Sequence, residues 1–341
     1  LFRSYGNDVF ILDELSNAII KYNASNGTNM AVVNFRNHNY GKHFFIRSNQ
    51  LIYSYDDDTF YSDLYGNHEK KLTNGEVVYI DDNVYVFISH KTTRDELYIV
   101  SYDNKTFRTT NALSHQIANG KNIKYVKEEG KNLYFSSVSE SGYLSILEVD
   151  LEQSLSRLIT RMSEDSGYAN MTLDISDILK EGEDYYYVIN EVSFTTNEEH
   201  LINYSYLYRS NIEENYEEIL ADDVGLYLAR HPKNKDMILY EQYTESGEAI
   251  WQNMELEETS YKWQDLVYGD VTERFYLEDT GIYQGEEKWL ELNMDMSEYA
   301  LMKVVRLDND YYILMDNVYQ HTWYRCNEDG TNLTKITADF L

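Results

Sequence analysis

At 341 residues, with 29 Lys+Arg against 59 Asp+Glu and a formal charge of −30, the chain is too acidic to displace the counterions of a nucleic acid or to settle on an anionic bilayer. A content of 43% hydrophobic and 15% aromatic residues, including 34 tyrosines, excludes wholesale disorder, and a lone cysteine, Cys326, excludes an internal disulfide. No run approaches the roughly 20 apolar residues that a membrane-spanning helix needs.

Taken in chain order, short runs alternate large apolar or aromatic residues with polar ones, the period of a half-buried strand. They come in pairs: Val9 to Leu12 with Ile19 to Tyr22, Leu51 to Tyr55 with Phe60 to Leu64, Val84 to Ile88 with Leu97 to Tyr102, and Leu133 to Val138 with Leu144 to Val149. The second half continues with Tyr185 to Val192 and Tyr206 to Arg209, Met237 to Tyr243 and Ile250 to Leu256, Ile282 to Gln284 and Trp289 to Asn293, and Tyr311 to Met315 and Trp323 to Cys326. A further strand precedes three of these pairs, at Glu76 to Ile80, Asn122 to Val126 and Gly225 to Ala229.

The links repeat as well. Ser139-Glu140-Ser141-Gly142 recurs as Thr244-Glu245-Ser246-Gly247, with Gly supplying the positive φ of a tight turn. Tyr208-Arg209-Ser210-Asn211 before Glu217 to Leu220 matches Tyr324-Arg325-Cys326-Asn327 before Leu333 to Ile336, and the turn Asp329-Gly330-Thr331-Asn332 matches Asn26-Gly27-Thr28-Asn29. Eight hairpins in 341 residues give the spacing of four-stranded propeller blades. The expected fold is all-β: one β-propeller domain over 1–341 of four-stranded antiparallel blades, eight in number with seven as the alternative. Strands from both termini are expected to share one blade and close the ring. The stretch 163–184 is expected to be an irregular insertion, its Thr172 to Leu179 forming a helical turn or an extra hairpin. Residues 294–310 are too few for a complete last strand and a complete first strand together.

The segment Tyr324 to Thr337 resembles the repeat of bacterial propellers related to the YWTD (LDL-receptor-like) and TolB families, in which a strand ending Leu-Tyr-Arg meets an Asp-Gly turn and a strand ending Lys-Leu-Thr. No copy here carries Tyr-Trp-Thr-Asp, and the second copy has Ile212-Glu213-Glu214-Asn215 in place of Asp-Gly, so no ligand-binding residue carries over. The resemblance implies an extracytoplasmic, lipoprotein-like domain at the surface of a Gram-positive bacterium. A chain opening at Leu1 is expected to be a mature or trimmed form whose leader or anchor lies upstream.

Candidate chemistry is sparse. There is no Gly-x-Ser-x-Gly elbow, no phosphate-binding glycine loop, and the eight histidines (His38, His43, His68, His90, His115, His200, His231 and His321) form no His-x-x-x-His pair. Asp56-Asp57-Asp58 with Asp63 has the oxygen donors of a calcium loop but not its spacing, and reads as a solvated hairpin tip. Glu213-Glu214, Glu217-Glu218, Glu255-Glu257-Glu258 and Glu286-Glu287 read as charged edges that discourage strand addition. Trp251, Trp263, Trp289 and Trp323 are expected to pack between blades, Tyr186 to point away from Tyr185 and Tyr187, and Cys326 to be a small buried core residue. No catalytic residue, cofactor or metal is assigned. The expected role is a monomeric, non-enzymatic binding domain for an extracellular protein, peptide or glycan. A carboxylate-dependent polysaccharide enzyme and an architectural spacer are the alternatives.

Overall fold

The computed structural model describes residues 2–336, apart from 7, 14–15, 24–25, 111–114, 140–142, 163–170, 195–199, 232–233, 244–248, 255–257, 260–274, 279–280, 285–286, 292–299, 308–309, 318–319 and 328. The described chain is all strand and turn. The first sheet takes β1 (Phe2–Tyr5), β2 (Asp8–Asp13), β3 (Ala18–Asn23) and β4 (Asn29–Asn34) in chain order. The second takes β5 (Tyr40–Arg47), β6 (Gln50–Tyr55), β7 (Asp58–Asp63) and β8 (Lys70–Thr73). Two further runs follow: β9 (Glu76–Ile80), β10 (Val84–His90), β11 (Asp95–Asp103) with the short β12 (Arg108–Thr109), then β13 (His115–Glu129), β14 (Asn132–Val138), β15 (Leu144–Asp150) and β16 (Leu155–Met162). These form one eight-stranded sheet, because the first half of β13 pairs β11 and its second half pairs β14.

Next come β17 (Met171–Glu181), β18 (Asp184–Phe194), β19 (His200–Asn211) and β20 (Tyr216–Asp222), and then β21 (Val224–His231), β22 (Asn234–Tyr243), β23 (Ala249–Asn253) and β24 (Glu258–Thr259). A three-stranded sheet, β25 (Phe275–Glu278), β26 (Gly281–Gln284) and β27 (Glu287–Glu291), precedes the last one, β28 (Ala300–Leu307), β29 (Asp310–Asn317), β30 (Gln320–Asn327) and β31 (Thr334–Ile336). All pairings are antiparallel between neighbours, the up-and-down meander of a propeller blade. Among the described residues, the paired runs read from the sequence centre on second and third strands of these meanders.

The strand map bears on two expectations. Residues 171–181 are not an insertion but the regular first strand of the β17–β20 sheet; residues 163–170 lie outside the described residues. A bulge between Ile175 and Asp177 shifts the apolar positions from Leu173 and Ile175 to Ile178, so a spacing of two becomes three and imitates a helical face. The tail expected to close the ring, 337–341, lies outside the described residues. β1 completes the first sheet beside β2, and β31 completes the last beside β30. The first and last sheets pack face to face, Val9, Ile11 and Tyr22 against Tyr312, Trp323 and Ile336.

Residue contacts divide the chain into two units, Leu1–Thr73 with Trp263–Leu341, and Asn74–Lys262. In the first, Phe10, Ile19 and Val33 meet Phe44, Leu51 and Tyr53, and Ile282 and Leu290 meet Tyr311, Ile313 and Cys326. In the second, three interlayer cores follow one another: Val86, Ile88 and Leu97 against Leu133 and Phe135; Tyr134, Leu144 and Ile146 against Tyr185, Tyr187 and Ile189; Tyr186, Val188 and Leu207 against Ile238 and Tyr240. Tyr186 thus points opposite to Tyr185 and Tyr187, as strand alternation demands, yet all three are buried because both faces of β18 are covered. Sheets stacked face on face in this way are the blade arrangement of a β-propeller.

The tyrosines are the substance of these layers: Tyr22, Tyr53, Tyr134, Tyr185, Tyr187, Tyr240 and Tyr312 rank among the largest fully buried side chains. Many of their hydroxyls end on carboxylates. Tyr53 donates to Glu69 at 2.7 Å, Tyr98 to Glu96 at 2.7 Å, Tyr185 to Glu148 at 2.8 Å and Tyr187 to Glu217 at 2.9 Å. Part of the acidic excess is therefore structural, supplying acceptors for phenols that burial would leave unpaired.

The Tyr-Arg-x-Asn repeat also acquires a physical meaning. Arg325 Nε donates to Asp310 Oδ2 at 3.0 Å, and Arg209 Nε to Asp184 Oδ2 at 3.0 Å, while Lys21 Nζ lies 2.8 Å from Asp8. In each case the cation sits near the end of a third strand and the carboxylate opens the second strand beside it. Asn23 and Asn211, the last residues of β3 and β19, add a bond to the same carboxylates at 2.7 Å. The crossovers between sheets need glycine where they graze the next second strand. A Cβ on Gly75 (φ +150°) would lie 2.6 Å from Ile88 O, and one on Gly225 2.7 Å from Glu241 Cβ.

Candidate functional site

Two places in the Asn74–Lys262 unit concentrate polar chemistry. The first lies along the first strands β13, β17 and β21. Lys124 Nζ bonds Asp174 at 2.9 Å, Lys127 Nζ bonds Asp177 Oδ1 at 2.8 Å, and Arg230 bonds Glu129 at 2.6 Å. Asp177 Oδ2 also accepts the Leu228 amide at 2.9 Å, and Glu129 accepts the Lys180 amide at 3.1 Å. Each carboxylate joins two neighbouring first strands, so its acceptor capacity goes into holding the sheets together. This belt is a rivet, not an open site.

The second lies at the far end of the β18–β19 hairpin. Its strands have 11 and 12 residues, against 7 and 7 for β14 and β15, so it outruns the sheet packed on that side. Tyr204, Tyr206 and Tyr208 of β19 share a face, standing opposite Glu191, Ile189 and Tyr187, while a bulge beside Glu191 turns Ile202 to the other face opposite Val192. The row begins in the core, where Tyr208 stacks parallel on buried Tyr187 with ring centres 5.7 Å apart, and leads outward to Tyr206 and then Tyr204, with centres 6.4 Å apart. Tyr204 is 52% exposed and Ile202 46%. Burial first, then the charge of Glu217, raises the Tyr208 hydroxyl above its ordinary value. Tyr206 is raised by burial and then by Glu191, Tyr204, Asp222 and Asp223.

Register explains that charge: Glu191 stands directly opposite Tyr204, and Asp222 opposite Tyr206. The stretches paired with the rings, 189–192 and 219–223, contribute Glu191, Asp222 and Asp223, and β19 itself opens with His200. The result is an aromatic shelf with carboxylates in register with two of its rings, suited to stacking on a flat or cationic group. The sequence reading weighed the tryptophans and Tyr185 to Tyr187 and passed over Tyr204 and Tyr206. The available signal was the i, i+2 row Tyr204-x-Tyr206-x-Tyr208 extending beyond the core register.

The residues singled out from sequence are placed as follows. Asp56 and Asp57 form a two-residue hairpin turn with φ of +49° and +61°. Asp56 bonds His38 Nδ1 at 2.6 Å and accepts the Asn39 amide at 3.1 Å, and Asp58 pairs Lys71 at 2.5 Å. Asp63 stands at the other end of β7, accepting the Tyr65 and Asn67 amides at 2.9 Å each, so it does not converge with the other three. Among the described residues no three His, Cys, Asp or Glu side chains gather as a metal site. His90 pairs Asp95 at 2.9 Å. Glu217 and Glu218 do lie on an outermost strand, β20, but Glu217 also takes bonds from Tyr187 and Thr160 across the sheet layers. Glu255, Glu257 and Glu286 lie outside the described residues, and Glu258 and Glu287 open β24 and β27. Trp289 packs edge-on against Tyr311 at 4.8 Å and Trp323 is buried between the first and last sheets; Trp251 lies on β23, and Trp263 is outside the described residues.

Cys326 is fully buried, and burial pushes its thiol up to about 12. Because the thiolate is the reactive form, the native protein at pH 8 is expected to resist a thiol reagent that labels the urea-unfolded chain within minutes. Equal labelling rates in the two states would place Cys326 at the surface.

No protein-family model matches the sequence, and no curated protein matches it. Among solved structures, the chain is similar to the β-propeller domain of the trilobed protease from Pyrococcus furiosus, at 12% identity over 88% of this chain and 85% of that one, with a TM-score of 0.44. It is similar to an oligogalacturonate lyase in complex with manganese (10% identity, 91% and 82% coverage, TM-score 0.43). It is also similar to TolB from Acinetobacter baumannii, of which it spans 60% (14% identity, 72% of this chain, TM-score 0.30).

Proposed function

We propose that the chain is an eight-bladed β-propeller acting outside the cytoplasm as a non-enzymatic binding module, with its ligand, a protein, peptide or glycan, resting on the exposed end of the β18–β19 hairpin. The observation that carries this reading is the Tyr204–Tyr206 row, aromatic surface held open to solvent by a rigid, well-buried hairpin. The extracytoplasmic bacterial setting is supported by the likeness of Tyr324 to Thr337 to the TolB and YWTD repeats. A charge of −30 supports a monomer through repulsion between copies.

The test is a panel of oligosaccharides and peptides titrated against the parent protein and Tyr204→Ala. Removal of one exposed ring is expected to weaken the bound member by about fivefold or more while leaving Tm within about 2 °C. Hydrolysis of a panel polysaccharide would favour the carboxylate enzyme, and an inert panel would favour the spacer.

A further inference from the structure

Resting on that reading, we infer that the Tyr204–Tyr206 shelf recognises a basic peptide segment, its lysine or arginine side chains lying across the tyrosine faces within reach of Glu191, Asp222 and Asp223. Charge selects the ligand class. Glu191 is paired in register with Tyr204 and Asp222 with Tyr206, which sets a carboxylate beside each ring. An aromatic face carries negative potential, so carboxylates at its rim deepen the attraction for a cation and oppose any anion. An uncharged sugar could stack on the rings and donate its hydroxyls to the carboxylates, but it would leave their charge uncompensated.

Openness selects a polymer over a small free cation. Tyr204 is 52% exposed, so no cage closes round a single ammonium group. A shelf of this kind holds its ligand by several weak contacts in a row, which a peptide with successive basic residues supplies. The row has direction too: Tyr204 is the outermost ring, Tyr206 is partly buried, and Tyr208 closes the inner end against Tyr187.

The experiment titrates capped tetralysine, its fully ε-acetylated counterpart and a neutral oligosaccharide into the full chain at low and high salt, by calorimetry. Four proteins are compared: the parent, Tyr204→Ala, the triple variant Glu191→Gln/Asp222→Asn/Asp223→Asn, and a control, Glu213→Gln/Glu214→Gln, which removes two exposed acids from the β19–β20 turn. Tetralysine is expected to bind the parent and the control alike, to weaken by about tenfold or more at high salt and in the triple variant, and to weaken several-fold in Tyr204→Ala. The acetylated peptide is expected not to bind. Equal tetralysine binding by parent and Tyr204→Ala would reduce the effect to diffuse charge and overturn the inference, as would no tetralysine binding at all. If the oligosaccharide alone binds and Tyr204→Ala abolishes it, the basic-peptide inference falls while the binding-module reading stands. Loss of both arms removes both.

Discussion

Tyr187→Ala is expected to destabilise the protein by about 3–5 kcal/mol, the range for truncating a large buried aromatic side chain. Tyr187 is completely buried in the layer between the β13–β16 and β17–β20 strands, stacked on Tyr208 at 5.7 Å and donating its hydroxyl to Glu217 at 2.9 Å. The alanine variant loses the ring's burial and leaves a cavity that β-sheets on both sides, being rigid, cannot collapse to fill. Tyr187→Phe isolates the hydroxyl and is expected to cost only about 1–2 kcal/mol, since Glu217 keeps its bond from Thr160. Urea unfolding of both variants measures the two terms separately. A cost below about 1 kcal/mol for the alanine variant would mean that the layer between these sheets is not packed as described.

Asp177→Ala is expected to cost about 3 kcal/mol, which for a unit of this size lowers Tm by roughly 6–12 °C. The carboxylate is buried, and it ties β13 through Lys127 at 2.8 Å to β21 through the Leu228 amide at 2.9 Å while bonding the Ile178 amide of its own strand at 2.8 Å. Removing it strands an ammonium and leaves two backbone donors short of an acceptor. Lys127 is 30% exposed, so water takes up part of its loss, and the expected cost sits at the lower end of the range for a broken buried pair. Asp177→Asn keeps one acceptor oxygen and is expected to lose about half as much. Thermal unfolding distinguishes these outcomes. A Tm within 1 °C of the parent for the alanine variant would contradict the rivet role of the first-strand belt.

The second and third strands were legible in the sequence because their pairing is regular. The β2–β3, β6–β7, β10–β11, β14–β15, β22–β23 and β29–β30 ladders run without a register shift, so a strict period of two survives along them. The first strands were not. β5, β9, β13, β17, β21 and β28 all meet their second strand through a shift, and each shift breaks the alternation that sequence reading depends on. That is why only Glu76 to Ile80, Asn122 to Val126 and Gly225 to Ala229 stood out, and why Leu173, Ile175 and Ile178 looked helical. The ionic belt on those strands was equally hidden. Lys127 and Asp177, or Glu129 and Arg230, are 50 and 101 residues apart and meet only through the stacking of sheets.

The repeat signature was readable while its cause was not. The sequence displays Tyr-Arg-x-Asn near the ends of β19 and β30, but the partners Asp184 and Asp310 precede it by a whole hairpin. The excess of Asp and Glu suggested solvated tips and charged edges. The structure assigns part of it, Glu69, Glu96, Glu148 and Glu217, to the hydroxyls of tyrosines, and leaves Glu191, Asp222 and Asp223 beside the open aromatic row.

Amide hydrogen exchange resolved strand by strand tests the architecture most directly. Within each unit, meanders stacked face on face bury second strands and leave outer strands wet: β6 is buried from Leu51 to Ser54 and β14 from Leu133 to Ser137, whereas β8 and most of β16 and β20 face solvent. The expected result is slowest exchange in β2, β6, β10, β14, β18, β22 and β29 and fastest in β4, β8, β16 and β20, repeated along the chain. Protection spread evenly over all four strands of each meander, or concentrated in the outer ones, would contradict it.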